Sequence, residues 1–184
     1  MVALRGSDVY KQVKRPYTRK SKFKQHMYIR GGIPSKRTVK FDMGDINSNY
    51  PMRISLFTLQ KGTLLDNAIE SSRQTANKYL LKMFGGKQTG FYFKIKVFPH
   101  HIVRIHPIAM GAGADRYSTG MARAYGKPTN LAARVNAGQE IMFIEIPIEK
   151  EAIAREALRK AKCKIPFKSY IEVTKKEIAP IQKK

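Results

Sequence analysis

The sequence predicts an α+β two-layer sandwich, with two helices packed on one face of a mostly antiparallel sheet, a basic extended N-terminal arm and a long Gly-rich loop. Three observations carry that prediction. Phe91, Phe93, Ile95 and Val97 alternate with Tyr92, Lys94 and Lys96, the period of a strand with one buried side. Leu65, Ile69, Ala76, Leu80 and Met83 recur at helical spacing, and Ile153, Ala157, Leu158 and Ala161 do so further on. Residues 1–40 hold twelve Lys and Arg against one acid, Asp8, which is too much charge for a segment to bury by itself. The expected organisation is a basic arm over 1–40, a core domain over 41–175 with an inserted loop at 107–129, and a basic tail over 176–184.

Taken in order, the arm is broken by Pro16, Gly31-Gly32 and Pro34, which interrupt any long helix or central strand. Its charges are Arg5, Lys11, Lys14, Arg15, Arg19, Lys20, Lys22, Lys24, Arg30, Lys36, Arg37 and Lys40. Tyr17, Phe23 and Tyr28 sit among them. A solvating tail has no need of rings, whereas RNA bases offer faces to stack on, so the mixture favours an arm that orders on RNA.

Val39 and Phe41 suggest a short strand, and residues 52–60 alternate with Ile54, Leu56 and Thr58 on one side. Thr63 reads as the N-cap of the first helix, with Asp66 three residues later in the manner of a capping box, and Gly85-Gly86 ends it. The strand from Gly90 stops at Pro99. Extended structure resumes at His101-Ile102-Val103-Arg104-Ile105-His106 and ends at Pro107. Leu131–Val135 and Glu140–Ile146 read as two strands, and the short Asn136-Ala137-Gly138 connection suggests that they form a hairpin. The second helix follows Pro147, with Glu149 and Glu151 in its first turn and Arg159, Lys160 and Lys162 in its last, complementing the helix dipole. Tyr170-Ile171-Glu172-Val173 supplies a last strand.

Over the whole chain of 184 residues, 36 Lys and Arg oppose 13 Asp and Glu, a net charge of +23. Such an excess opposes compaction and calls for a polyanion. No apolar run approaches the roughly 18 residues of a membrane span, so nucleic acid is favoured over membrane. The start of the chain lacks the apolar stretch of a secretory signal, and Cys163 is the single cysteine, which suits a reducing, intracellular compartment.

The loop Pro107–Thr129 contains four glycines and five alanines, with Asp115 alone against Arg116, Arg123 and Lys127. Glycine-rich loops can cradle phosphates, which would call for a nucleotide-binding motif here. A dinucleotide fingerprint on Gly111 and Gly113 needs a third glycine where Arg116 stands. A P-loop ending at Gly126-Lys127 needs glycine at Met121 and a hydroxyl residue at Pro128. Both fail. The aromatic strand of an RNA-recognition motif would need a basic residue at Thr89 and a small one at Tyr92, so Phe91 and Phe93 are better explained as core.

His26, His100, His101 and His106 give poor metal geometry, since adjacent His100 and His101 project to opposite faces of a strand. No catalytic residue, metal site or cofactor is expected. Small residues would let the loop backbone approach nucleic acid closely while arginines bind phosphate or stack on bases.

The segments Arg30-Gly31-Gly32-Ile33-Pro34, Ala76-Asn77-Lys78-Tyr79, His101-Ile102-Val103-Arg104-Ile105, Ala112-Gly113-Ala114-Asp115-Arg116, Thr119-Gly120-Met121, Gly126-Lys127-Pro128, Ala133-Arg134-Val135 and Gly138-Gln139 occur in that order. They are followed by Glu156-Ala157-Leu158-Arg159-Lys160-Ala161-Lys162 and Pro166. Over nearly all of residues 5–175 the chain resembles the archaeal large-subunit ribosomal protein family L-ten-e, the counterpart of bacterial L-sixteen.

The resemblance implies a structural protein of the cytoplasmic ribosome that binds large-subunit rRNA below the central protuberance, near 5S rRNA and other ribosomal proteins. Its Gly-rich loop would point toward the tRNA-binding and peptidyl-transferase region and touch tRNA transiently. On this reading Lys11, Lys14, Arg15, Tyr17, Arg19, Lys20, Lys22, Phe23, Lys24, Arg30, Lys36, Arg37, Arg123, Lys127 and Arg134 face rRNA. Met110, Gly111, Gly113, Asp115, Arg116, Tyr117 and Gly120 form the functional-centre loop. Two other readings share the charge: a free regulatory or assembly RNA binder, and an RNA-modifying or phosphoryl-transfer enzyme built on the glycine loop.

Overall fold

The computed structural model describes residues 10–11, 33–105, 109, 111–117 and 127–176. The elements run β1 (Asp42–Gly44), β2 (Met52–Thr58), β3 (Gly62–Leu65), α1 (Asp66–Met83), β4 (Tyr92–Ile95), β5 (His101–Ile105), the single turn α2 (Ala114–Tyr117), β6 (Lys127–Val135), β7 (Glu140–Ile146), α3 (Glu151–Lys162) and β8 (Ser169–Lys175). The α+β class stands, with two long helices. The strands divide between two antiparallel sheets, one of five in the order β1-β4-β7-β2-β8 and one of three in the order β3-β6-β5.

β7 lies at the centre of the larger sheet, and every residue from Ile141 to Ile146 is buried, Glu145 among them. Both its edges are taken, by β4 and β2. That is why the expected hairpin between Leu131–Val135 and Glu140–Ile146 does not form. The turn at Asn136–Gln139 instead carries the chain from the small sheet to the large one. It is pinned by the end of β2: Thr58 Oγ1 donates to the Asn136 carbonyl at 2.6 Å and the Gly138 amide to the Thr58 carbonyl at 2.8 Å.

The expected cap at Thr63 is also corrected. Residues Gly62–Leu65 pair with β6, and helix α1 starts at Asp66 after Leu65, with no side-chain cap. Thr63 is paired in the strand ladder with Arg134 of β6, two residues short of the N-cap position, so it has no helix to cap. Val39 lies before the first strand and is exposed, while Phe41 packs against the core. Gly44 ends β1 with φ +86, and a Cβ there would stand 2.2 Å from the Phe91 carbonyl oxygen. Only glycine fits.

Between the sheets and helices sits one main core. Ile54, Leu56, Leu64, Ile69, Leu80, Phe91, Phe93, Ile141, Met142, Ile144 and Ile146 are fully buried. Ile69, Ala76 and Leu80 occupy the buried stripe of α1 as their spacing predicts, joined by Ser72, whose hydroxyl donates to the Ala68 carbonyl at 2.8 Å. Met83 is exposed at the helix end. Helix α3 buries Ala154, Ala157, Leu158 and Ala161 against α1, β2 and β8, with Ile153 at the rim. Small residues on that stripe let the two helices and the sheet approach closely.

Candidate nucleic-acid interface

Much of the expected RNA-facing set lies outside the described residues: Lys14, Arg15, Tyr17, Arg19, Lys20, Lys22, Phe23, Lys24, Arg30, Met110, Gly120 and Arg123. Lys11 is exposed, beside Tyr10, whose carbonyl lies against the start of β3 at Gly62.

The basic residues that the structure does describe differ in whether an acid already holds them. On the outer face of the five-stranded sheet the cations are already spent. Glu140 accepts both oxygens' worth of hydrogen bonds from Arg53, at 2.6 and 2.8 Å, one from Ser55 at 2.6 Å, and pairs with Lys96 at 2.6 Å. Burial pushes the Glu140 carboxyl up, but the bonds from Arg53, Lys96 and Ser55 outweigh it and hold the group below the ordinary carboxylate range. Lys176 pairs with Glu145, and Lys94 with Asp42 at 3.1 Å. The Arg53 guanidinium also lies 3.7 Å from the centre of the Phe143 ring.

Other cations are open. Lys36 is exposed and stands 4.6 Å from the centre of the Phe98 ring, which stacks on Phe41 at 5.3 Å. Phe98 is half exposed, so this ledge offers a ring beside a cation to the outside. Phe98 falls on the polar side of the Phe91–Val97 alternation, where no core residue is expected, and a ring at a polar position is the signal the sequence carries for it. Arg37 is more constrained, 3.9 Å from buried Asp66. Burial raises the Asp66 carboxyl, against amide hydrogen bonds from Asn67, Arg37 and Leu131.

From the end of β5 the chain enters the Gly-rich loop. Gly111 and Gly113 adopt φ of +116° and +78°, left-handed conformations that give the one-turn helix Ala114–Tyr117 its entry. Asp115 lies inside that turn. Arg116 is exposed, and Tyr117 is 84% exposed, the most exposed large hydrophobic side chain among the described residues. Lys127, expected within the loop, opens β6 opposite Ile105 and is exposed. Arg134 lies seven residues further along β6, opposite Thr63 and half buried. At about 3.3 Å per residue that separation is roughly 23 Å, so Lys127 and Arg134 stand well apart on the strand.

Among the described residues no group of three or more His, Cys, Asp or Glu could hold a metal ion, and no helix is long and apolar enough to cross a membrane. His101 is half buried, and burial together with the charges of Arg134 and His100 pushes its imidazole down.

Residues 13–172 match the family model described as ribosomal protein L16p/L10e. The chain belongs to that family. Its relatives include proteins named large ribosomal subunit protein uL16. That of Archaeoglobus fulgidus is 39% identical over 174 residues, spanning 95% of both chains. That of Methanococcus maripaludis is 40% identical over 175 residues, 95% of this chain and 96% of the relative. A third, from Staphylothermus marinus, is 39% identical over 156 residues. This L16p/L10e member is therefore a ribosomal protein with a structural role, not an enzyme.

Proposed function

We propose that the chain is a constituent of the large subunit of the cytoplasmic ribosome that binds rRNA near the central protuberance and 5S rRNA. Its loop would reach toward the tRNA-binding and peptidyl-transferase region. The observation that carries the reading is the division of charge: acids neutralise the cations on one sheet face, while Lys36, Arg116 and Lys127 stay exposed with no ion pair among the described residues. Exposed cations that no acid on the protein holds remain available to a polyanion.

The arm residues Lys11, Lys14, Arg15, Arg19, Lys20, Lys22, Lys24 and Arg30 would neutralise rRNA phosphates, with Tyr17 and Phe23 stacking on bases. Arg116 and Tyr117, carried on thin glycine-bracketed backbone, would hold tRNA or the rRNA around it in position without chemistry. Deleting residues 1–40 should lower both rRNA affinity and its salt dependence; an unchanged salt titration would refute the arm's role. Trimming 110–121 should impair translation more than assembly. Crosslinks from Tyr117 that never reach tRNA or peptidyl-transferase rRNA would refute the loop's.

A further inference from the structure

The three-stranded sheet differs from the larger one in charge. Its strands β3, β5 and β6 contain His101, Arg104, Lys127 and Arg134 and not one Asp or Glu. Residues opposite one another in an antiparallel pair share a face. Leu65, Ala132 and His101 therefore form one row across the sheet, and Thr63 with Arg134 the next. His101 and Arg134 are diagonal neighbours on the face turned away from Leu64, Ala133 and Val135, which join the main core.

Each of the two carries a buried nitrogen without a hydrogen-bond partner: Nδ1 of His101 and Nε of Arg134. Buried polar groups are nearly always paired, so an exception of this kind asks for an acceptor from outside. With no acid between them, the Arg134 charge disfavours a proton on its neighbour His101, and the depressed basicity of His101 follows from burial and from that neighbour.

We propose that His101 and Arg134 form a phosphate-binding site on this face, filled by a backbone phosphate of RNA. The proposal rests on the rRNA-binding reading above and deepens it by naming one contact. The guanidinium donates to phosphate oxygens, and a turn of the imidazole about its side-chain bond brings Nδ1 round as a second donor. The arriving anion replaces repulsion with attraction, so the ring takes up a proton and binding strengthens as pH falls.

Besides Arg134, the charged group acting on His101 is His100 beside it in the chain, while Arg104 and Lys127 lie further along the same two strands, and all are basic or neutral. The carboxylate at the end of β3, Asp66, is held by the backbone amides of Asn67, Arg37 and Leu131 and by the Arg37 side chain.

The test uses the full chain with labelled histidine rings, titrated by NMR from pH 5 to 8 alone, with inorganic phosphate, and with a short double-stranded RNA. The expected result with RNA is a rise of roughly one unit in the His101 pKa. Arg134→Gln should abolish that rise and flatten the salt dependence of RNA affinity by about one. Arg134→Lys should restore most of both, which loss of folding would not permit. A response to inorganic phosphate but not to RNA overturns the RNA assignment. RNA binding with His101 unmoved overturns the site and leaves the rRNA reading standing, whereas absence of any RNA binding by the unsubstituted chain overturns that reading itself.

Discussion

The division between spent and open cations makes a quantitative prediction. The double substitution Arg116→Gln, Lys127→Gln removes two exposed cations that have no ion pair among the described residues. Lys94→Gln removes one that is already held by Asp42 at 3.1 Å and neighbours the Tyr92 hydroxyl's bond to the same carboxylate. Each phosphate contact contributes about 0.7–0.9 to the slope of log affinity against log salt, so the double variant should lose about 1.4–1.8. Between 50 and 200 mM salt, a fourfold change, the affinity advantage of the unsubstituted chain should shrink by roughly sevenfold to twelvefold. Lys94→Gln should leave the slope within about 0.3 of the original, because its charge is largely cancelled before RNA arrives. Filter binding or fluorescence anisotropy with a large-subunit rRNA fragment across that salt range reads both. Equal slope losses from both variants would refute the idea that ion pairing on the protein decides which lysines face RNA.

Three further outcomes follow from the same geometry. Glu140→Gln leaves Arg53 and Lys96 without their shared carboxylate and should cost about 2–3 kcal/mol, lowering Tm by roughly 5–10 °C in thermal melts. Since the folded Glu140 carboxyl lies below its ordinary value, its contribution is full above about pH 4.3 and is lost as pH falls through the lowered value. The variant should accordingly lose less stability on acidification than the parent; identical acid sensitivity would contradict the assignment.

Asp66→Ala strips an acceptor from the amides of Arg37 and Leu131 and should cost about 2–4 kcal/mol by chemical denaturation, with faster hydrogen exchange at both amides. Unchanged exchange there would remove its role as the tie between α1, β6 and the 33–41 segment. Gly44→Ala forces a Cβ toward the Phe91 carbonyl and should cost at least about 1–3 kcal/mol; a neutral melt would show that the turn relaxes freely.

What the sequence made legible follows from where one physical signal acted alone. Burial on one side imposes strict alternation on Phe91–Val97, and burial of one stripe imposes helical spacing on Ile69, Ala76 and Leu80; both elements stand where the pattern puts them. Gly62–Leu65 carries too few residues to show a period, and Thr63 with Asp66 mimics a capping motif, so β3 was hidden behind a helix start. The Asn136–Gly138 connection has the length of a hairpin, and nothing local announces that both edges of β7 belong to strands far away in sequence. That is a tertiary choice.

For the candidate interface, charge density marked the basic regions, and the glycines marked a loop that needs left-handed backbone. Which cations remain open was not legible, because Arg53, Lys94 and Lys96 look the same as Lys36 and Lys127 until Asp42 and Glu140 are brought beside them. The proximity of His101 to Arg134 likewise depends on the β5–β6 register, which sets His101 opposite Ala132, 31 positions away, and so diagonal to Arg134.

The most direct measurement is co-sedimentation of the tagged chain with large ribosomal subunits through a high-salt sucrose cushion. An rRNA-anchored constituent stays with the particle at one copy per subunit after the wash. Release of the chain to the supernatant, with subunits otherwise intact, would contradict the account.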